Sequence, residues 1–157
     1  MSQREYYLKK AKYAYELYCL KKPFRKVYAV IKKDGKFVVL QNKKGRYKFS
    51  LAGGGIDEGE DEVTAIKREL IEELNMHVNI IKSLGITTYF KTWNYNGKDF
   101  DVEYQAEIFL TEFIKYNDNK NFGLEGEFDN NFTISEISKQ EMLSSVFEFV
   151  KGGILLQ

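Results

Sequence analysis

Residues 52–76, AGGGIDEGEDEVTAIKRELIEELNM, set three consecutive glycines ahead of a run of carboxylates. The spacing predicts a helix over 61–74, and advancing about 100° per residue sorts its side chains. Val63, Ile66, Leu70 and Leu74 fall in one apolar stripe, while Glu62, Glu69 and Glu73 gather at the stripe's edge with Glu72 just beyond them. An acidic helix is ordinarily a solvated face laced with salt pairs, yet only Lys67 and Arg68 are basic nearby. Carboxylates one turn apart repel and raise one another's affinity for protons unless a cation intervenes. A hard divalent cation resolves the repulsion. Magnesium in particular binds through one or two carboxylates and completes its shell with water and substrate phosphates.

Gly53, Gly54 and Gly55 add to that reading, because glycine lets the backbone turn sharply and approach a ligand closely. A dinucleotide fingerprint fails, since Glu58 stands where G-x-G-x-x-G needs its last glycine, and no G-x-x-x-x-G-K-[ST] loop exists. Acids beside a phosphate-binding loop would repel a bare pyrophosphate, whereas metal between them would bridge the two. The pattern therefore favours metal-assisted chemistry over simple cofactor binding.

The elements that must position these residues are legible in outline. A helix over 3–21 carries Tyr7, Ala11, Ala14 and Tyr18 on one stripe, and Pro23 ends it. Segments 27–33 and 36–41 flank Asp34-Gly35, a strong hairpin signal, and 48–52 is a short strand feeding the glycines. Strands follow at 78–81 and 85–95, the latter turning at Asn96-Gly97 into 100–110. Residues 115–131 read as a polar loop, 131–134 as a short strand and 139–150 as a closing amphipathic helix. Irregular mixing of helices with two hairpins predicts an α+β fold, a mixed sheet covered by helices, with an additional N-terminal helix.

With those residues in place, the chain resembles the Nudix family, whose box reads G-x5-E-x7-R-E-U-x-E-E-x-G-U with U aliphatic. Gly54, Glu60, Arg68, Glu69, Leu70, Glu72, Glu73 and Met76 fill the box, and Asn75 stands where it has glycine. Asparagine is the residue that best replaces glycine at a left-handed helix end. Ala52 also stands where many members have proline. The resemblance implies an α/β/α sandwich around a mixed sheet. It further implies hydrolysis of a nucleoside diphosphate linked to another group, with Mg²⁺ or Mn²⁺ as cofactor. Carried over position by position, Glu69, Glu72 and Glu73 would bind metal, with Glu69 or a neighbour deprotonating the attacking water. Gly54 or Gly53 would offer metal a carbonyl. Glu60 and Arg68 would lock loop to helix, Arg68 also steadying a catalytic glutamate. A later carboxylate often completes such sites; Glu127 and Glu125 are the nearest candidates, and Glu103 and Glu107 the others.

Other residues are weighed beside the box. Arg46, with Lys43 and Lys44, is either a phosphate contact or a polar hairpin end. Gly53 and Gly55 could approach substrate. Trp93 could stack on a base, though Trp, Tyr and Phe in such strands are more often packing residues. His77, the one histidine, reads as a structural residue. The Tyr-rich N-terminal helix is either a cover on the sheet or the surface of a homodimer.

The whole chain sets the bounds. Its 157 residues suit one domain, with 1–22 as a helical extension. A net charge of +1 gives no bulk attraction to nucleic acid or to a membrane surface, although capped RNA stays open as a substrate. No apolar run is long enough to span a bilayer, the N-terminus does not read as a secretory signal, and the lone Cys19 excludes an internal disulfide. A cytoplasmic, reducing setting is expected. Three functions compete: a pyrophosphohydrolase acting on a nucleotide-type small molecule, a Nudix-like module that senses a nucleotide without cleaving it, and a purely structural domain. Intact box acids favour the first.

Overall fold

A computed structural model of the chain describes residues 2–43, 48–119 and 132–145. Arg46, Glu125, Glu127, Lys44 and the end of the closing helix lie outside the described residues.

Helix α1 (Gln3–Leu20) starts where the Ser2 side chain accepts a hydrogen bond from the Glu5 N–H, and ends at Lys21 in the left-handed conformation. Strand β1 (Phe24–Lys33) follows, then β2 (Lys36–Asn42), β3 (Phe49–Ser50) and β4 (Ala52–Gly55). Helix α2 (Glu62–Leu74) leads into the long hairpin of β5 (Met76–Tyr95) and β6 (Lys98–Tyr116). Strand β7 (Phe132–Ile137) and helix α3 (Lys139–Ser145) complete the described chain. Both hairpin expectations hold for a stated reason: Asp34-Gly35 and Asn96-Gly97 occupy positive φ at both central positions, as a two-residue turn between right-twisted strands requires.

The strands form one mixed sheet, ordered β3-β2-β1-β6-β5, with β4 pairing β1 and β7 pairing β2. β1 runs parallel to β6 and antiparallel to β2 and β4. Residues 76–95 form one strand where a break near Ser83 was expected; Gly85 and register shifts at Ile80/Lys82 and Ser83/Gly85 absorb the irregularity as bulges.

Helices cover both faces. On one, Ala65, Ile66, Leu70 and Leu74 of α2 pack on Val27, Ala29, Ile31, Val38 and Phe109. On the other, Met142 of α3 packs with Val30, Val39, Ile108 and Leu110. Farther along, Ala11, Ala14 and Leu17 of α1 cover Trp93, Phe100, Val102 and Tyr104. The expected α1 stripe is thus half right: its alanines are buried, but Tyr7 and Tyr18 stay exposed, and Leu17 takes the inward place. The α2 stripe also needs a correction. Val63 is 42% exposed and Ala65 is fully buried, so the helix is rolled toward its acidic edge. By helical angle, Glu69 and Glu73 then lie inside the packed arc, not beside it.

Among the described residues, no helix is long and apolar enough to cross a membrane.

Candidate active site

Helix α2 begins at Asp61, whose carboxylate accepts the Thr64 N–H at 2.7 Å, a bond that holds this carboxyl below its usual range. It ends at Asn75, at φ 57, with its backbone N–H bonded to Ile71 and Leu70 carbonyls. This cap does the work of the missing box glycine. The Asn75 side chain adds an Nδ2–H bond to the Asn117 carbonyl at 3.1 Å. His77 next to it bonds Asn117 Oδ1 through Nε2 at 2.9 Å.

The glycines do not form the expected sharp turn. They are strand β4, with Gly53 opposite Tyr28, Gly54 opposite Val27 and Gly55 opposite Lys26. What requires glycine is the closeness of the neighbours. A Cβ on Gly53 would run into Val27 O and the Tyr28 Cα, and one on Gly54 would overlap the carboxyl of Glu69. At Gly54 the strand is bare so that the acidic edge of α2 can lie against it.

Two carboxylates meet this strand, and a third, Glu72, joins them through Arg68. Glu73 accepts the Gly53 N–H at 3.0 Å, and burial, reinforced by the charge of Glu69, pushes its carboxyl up to about 7. Burial likewise raises Glu69 above the ordinary carboxylate range, against the pull of Arg68. Glu72, one turn after Arg68 and next to Glu73, has a side chain 57% exposed. Arg68 binds them into a frame: Nη1 donates to Glu69 Oε1 at 3.0 Å and Glu72 Oε2 at 3.2 Å. Its Nη2 donates to the Gly55 carbonyl at 2.9 Å and to Glu60 Oε1 at 3.0 Å, while Nε donates to Glu60 Oε2 at 2.8 Å. The Arg68 fork holds Glu60 well below the usual carboxylate range. The expected loop-to-helix pair is present, and Asp57, 3.3 Å from Arg68 Nε, joins it.

Among the described residues, no three His, Cys, Asp or Glu side chains are drawn around one point. The donors nonetheless suit a hard cation. They are all oxygens, and two of the three are desolvated acids whose mutual repulsion a cation would relieve. Glu69, Glu72 and Glu73, with the backbone of Gly53 and Gly54, are the groups that could hold it.

Other predicted residues fall elsewhere. Trp93 is 4% exposed; its Nε1–H donates to the Tyr104 hydroxyl at 2.8 Å and its ring packs on Tyr7, which leaves no open face for a base. The Gly53 N–H and the Gly55 carbonyl are occupied by Glu73 and Arg68, so both glycines position the acids. Glu107 lines a small hollow with Arg25, Ile56 and Glu62, where Arg25 and Glu62 are ion-paired, whereas Glu103 sits opposite Phe90 in the β5–β6 ladder. A residue that the sequence did not single out is Lys26. Burial, then Lys10, lowers its ammonium to about 8, while Glu69 and Glu73 pull the other way. No sequence signal marks it, since Arg25, Lys32 and Lys33 are basic residues of the same strand.

Among the described residues, a seven-stranded mixed sheet, with a glycine strand pressed against an acidic, arginine-framed helix, defines the Nudix class of fold and site. The family model described as "NUDIX domain" matches residues 22–151, and the chain belongs to that family. Among solved structures, a Nudix hydrolase from Nitrosomonas europaea is 22% identical, with 79% of this chain and 78% of that one aligned at a TM-score of 0.54. A UDP-X diphosphatase is 15% identical over 93% of this chain and 68% of its own, at 0.57. An Ap4A hydrolase from C. elegans, seen as a binary complex, is 21% identical over 84% and 93%, at 0.53. Identities this low carry the fold alone. A comparison with curated proteins returned no match.

Proposed function

We propose that this Nudix pyrophosphohydrolase is a divalent-metal-dependent enzyme that cleaves a pyrophosphate bond in a nucleoside diphosphate linked to another group. Nucleoside triphosphates, nucleotide sugars and ADP-ribose are the substrate types of that class. The observation that carries the proposal is the fit between Gly54 and Glu69: the strand gives up a side chain where the carboxyl needs the space. Two of the structural neighbours, named for UDP-X and Ap4A, act on substrates of the same class.

Glu69, Glu72 and Glu73 would hold Mg²⁺ or Mn²⁺. The metal's part is to neutralise pyrophosphate charge and acidify a bound water. The chain's own residues do the rest. Arg68 fixes the rotamers of Glu69 and Glu72 from a single nitrogen. The Gly53 N–H fixes Glu73. Glu69, desolvated and so a better proton acceptor than a surface glutamate, or a neighbouring glutamate would take the proton of the attacking water. The proposed unit is a single domain with residues 1–22 as its helical extension.

The test is a panel of nucleoside diphosphate derivatives incubated with Mg²⁺ or Mn²⁺, with products resolved by phosphorus NMR. Turnover that needs the metal, and that falls at least about a hundredfold in folded Glu69→Gln and Glu73→Gln, is expected. Undiminished turnover in excess chelator would overturn the reading, and binding without turnover would make the chain a sensor.

A further inference from the structure

Strand β5 lies at the end of the sheet. From Gly85 to Tyr95 it pairs with β6 residue by residue, and among the described residues no strand pairs with its other edge. An open strand edge is a row of unpaired N–H and C=O groups, which chains ordinarily blunt with charge, proline, a bulge or a covering element. Here the bulges all come before this run, at His77/Val78, Ile80/Lys82 and Ser83/Gly85. Residues 83–90, SLGITTYF, hold no charge and no proline, and the flanking charges are Lys82 and Lys91. Isoleucine, threonine and the aromatics are also the residues that suit a strand.

The two faces of the run differ. Trp93, in line with Tyr89 and Lys91, lies under α1. Ile86, Thr88, Phe90 and Thr92 share the face of α2, since Ile86 stands opposite Glu107 and Glu107 opposite Val27. α2 covers Val27 but leaves this part of β5 bare. Ile86 is 60% exposed, and Phe90, at 70%, is the most exposed large apolar side chain among the described residues. Single exposed apolar residues are ordinary. Two on one face of an unguarded edge are not.

We propose that the outer edge of β5 pairs antiparallel with the same edge of a second copy of this chain, extending the sheet across a two-fold axis at Phe90. An axis perpendicular to the sheet lets a residue meet only partners of its own parity, because opposed side chains must point to one face. Centring the axis on Phe90 uses the whole regular run from Gly85 to Tyr95 and stops short of the bulges. Phe90 then meets Phe90 of the second copy, Thr88 meets Thr92, Ile86 meets Asn94 and Tyr89 meets Lys91. Aromatic, threonine and cation-on-ring pairs of this kind stabilise neighbouring strands. The occupant is a second copy because the run is its own complement: its one charge meets a ring, its most exposed apolar residue meets itself, and no like charges are opposed. Nothing in this depends on the hydrolase reading.

Sedimentation velocity of the full chain from about 1 to 300 µM tests the interface, since small interfaces are weak ones. Wild type is expected to pass from monomer to dimer across that range. Phe90→Lys, which opposes two ammoniums on the axis, should weaken the dimer at least about tenfold. Ile81→Lys, at an exposed apolar residue in the bulged part of the same strand, should leave it intact. Register is read by oxidation in a Cys19→Ser background, which removes the exposed native thiol. Phe90→Cys should give a disulfide-linked dimer, its Cβ atoms lying about 4.5–5.5 Å apart across the axis. Thr87→Cys, opposite Trp93, should not. A chain that stays monomeric throughout, or a dimer that Phe90→Lys does not weaken, overturns the inference. Cross-linking through Thr87→Cys in place of Phe90→Cys overturns it as well.

Discussion

Replacing Glu73 with glutamine should make the metal-free protein more stable while disabling it. In the fold, burial raises this carboxyl from 4.5 to about 7. An acid whose affinity for protons is higher folded than unfolded favours folding when protonated, so its contribution is lost as pH rises from about 4.5 to about 7 and then levels off. At about 1.4 kcal/mol per unit, the shift amounts to roughly 3 kcal/mol, and relaxation of the partly wetted site brings this to about 1–3 kcal/mol. Glutamine is nearly isosteric, carries no charge and can still accept the Gly53 N–H. It also removes one of the charges acting on Glu69, so part of the gain belongs to the pair. Thermal unfolding in chelator at pH 5 and pH 8 measures it. The variant should exceed wild type only slightly at pH 5 and by roughly 3–10 °C at pH 8. Saturating Mg²⁺ should close the gap by stabilising wild type alone. A variant no more stable than wild type at pH 8 would show that Glu73 is not a desolvated charge, and the electrostatic argument for the site would fail with it.

Gly54→Ala places a methyl where the Glu69 carboxyl lies; that carboxyl is a flexible tip, so melting temperature should move little while kcat falls at least about tenfold. Arg68→Lys trades a fork tied to Glu60, Glu69, Glu72 and Gly55 for one ammonium, and chemical denaturation should show a loss of about 1–3 kcal/mol along with reduced turnover. Asn75→Gly should stay within about 1 kcal/mol of wild type by the same measurement, since relief of the left-handed backbone offsets the lost bond to Asn117; Asn75→Ala, which gains nothing, should be the less stable of the two.

What could be read in the sequence was what local chemistry decides. Asp34-Gly35 and Asn96-Gly97 turn the chain by their own backbone preferences, and the Glu60–Arg68 pair spans one loop and two helical turns. The acids were legible as a row for the same reason, because helical geometry fixes their angles. What stayed hidden was set by distant packing. The roll of α2 that buries Ala65 and frees Val63 is decided by the strands beneath it. The glycines could be recognised as special, but their partner at Gly54 is a side chain fifteen positions away, so the need for bareness read as a need for flexibility. Trp93 beside a turn looked available to substrate because nothing local reveals that α1 covers it. Lys26 gave no signal at all, since its neighbours come from α1, α2 and β5.

These hidden features share one cause. Had α2 been rolled the other way, Val63 would be buried and the glutamates would stand in water, unstrained and free to rotate. Rolled as it is, the helix takes Glu69 and Glu73 into the packed arc, and β4 must be bare at Gly54 to admit Glu69. The resulting repulsion is tolerable because Arg68 and the Gly53 N–H hold the carboxylates by geometry while leaving their charges under-compensated. A divalent cation among Glu69, Glu72 and Glu73 would supply the charge that this frame leaves out.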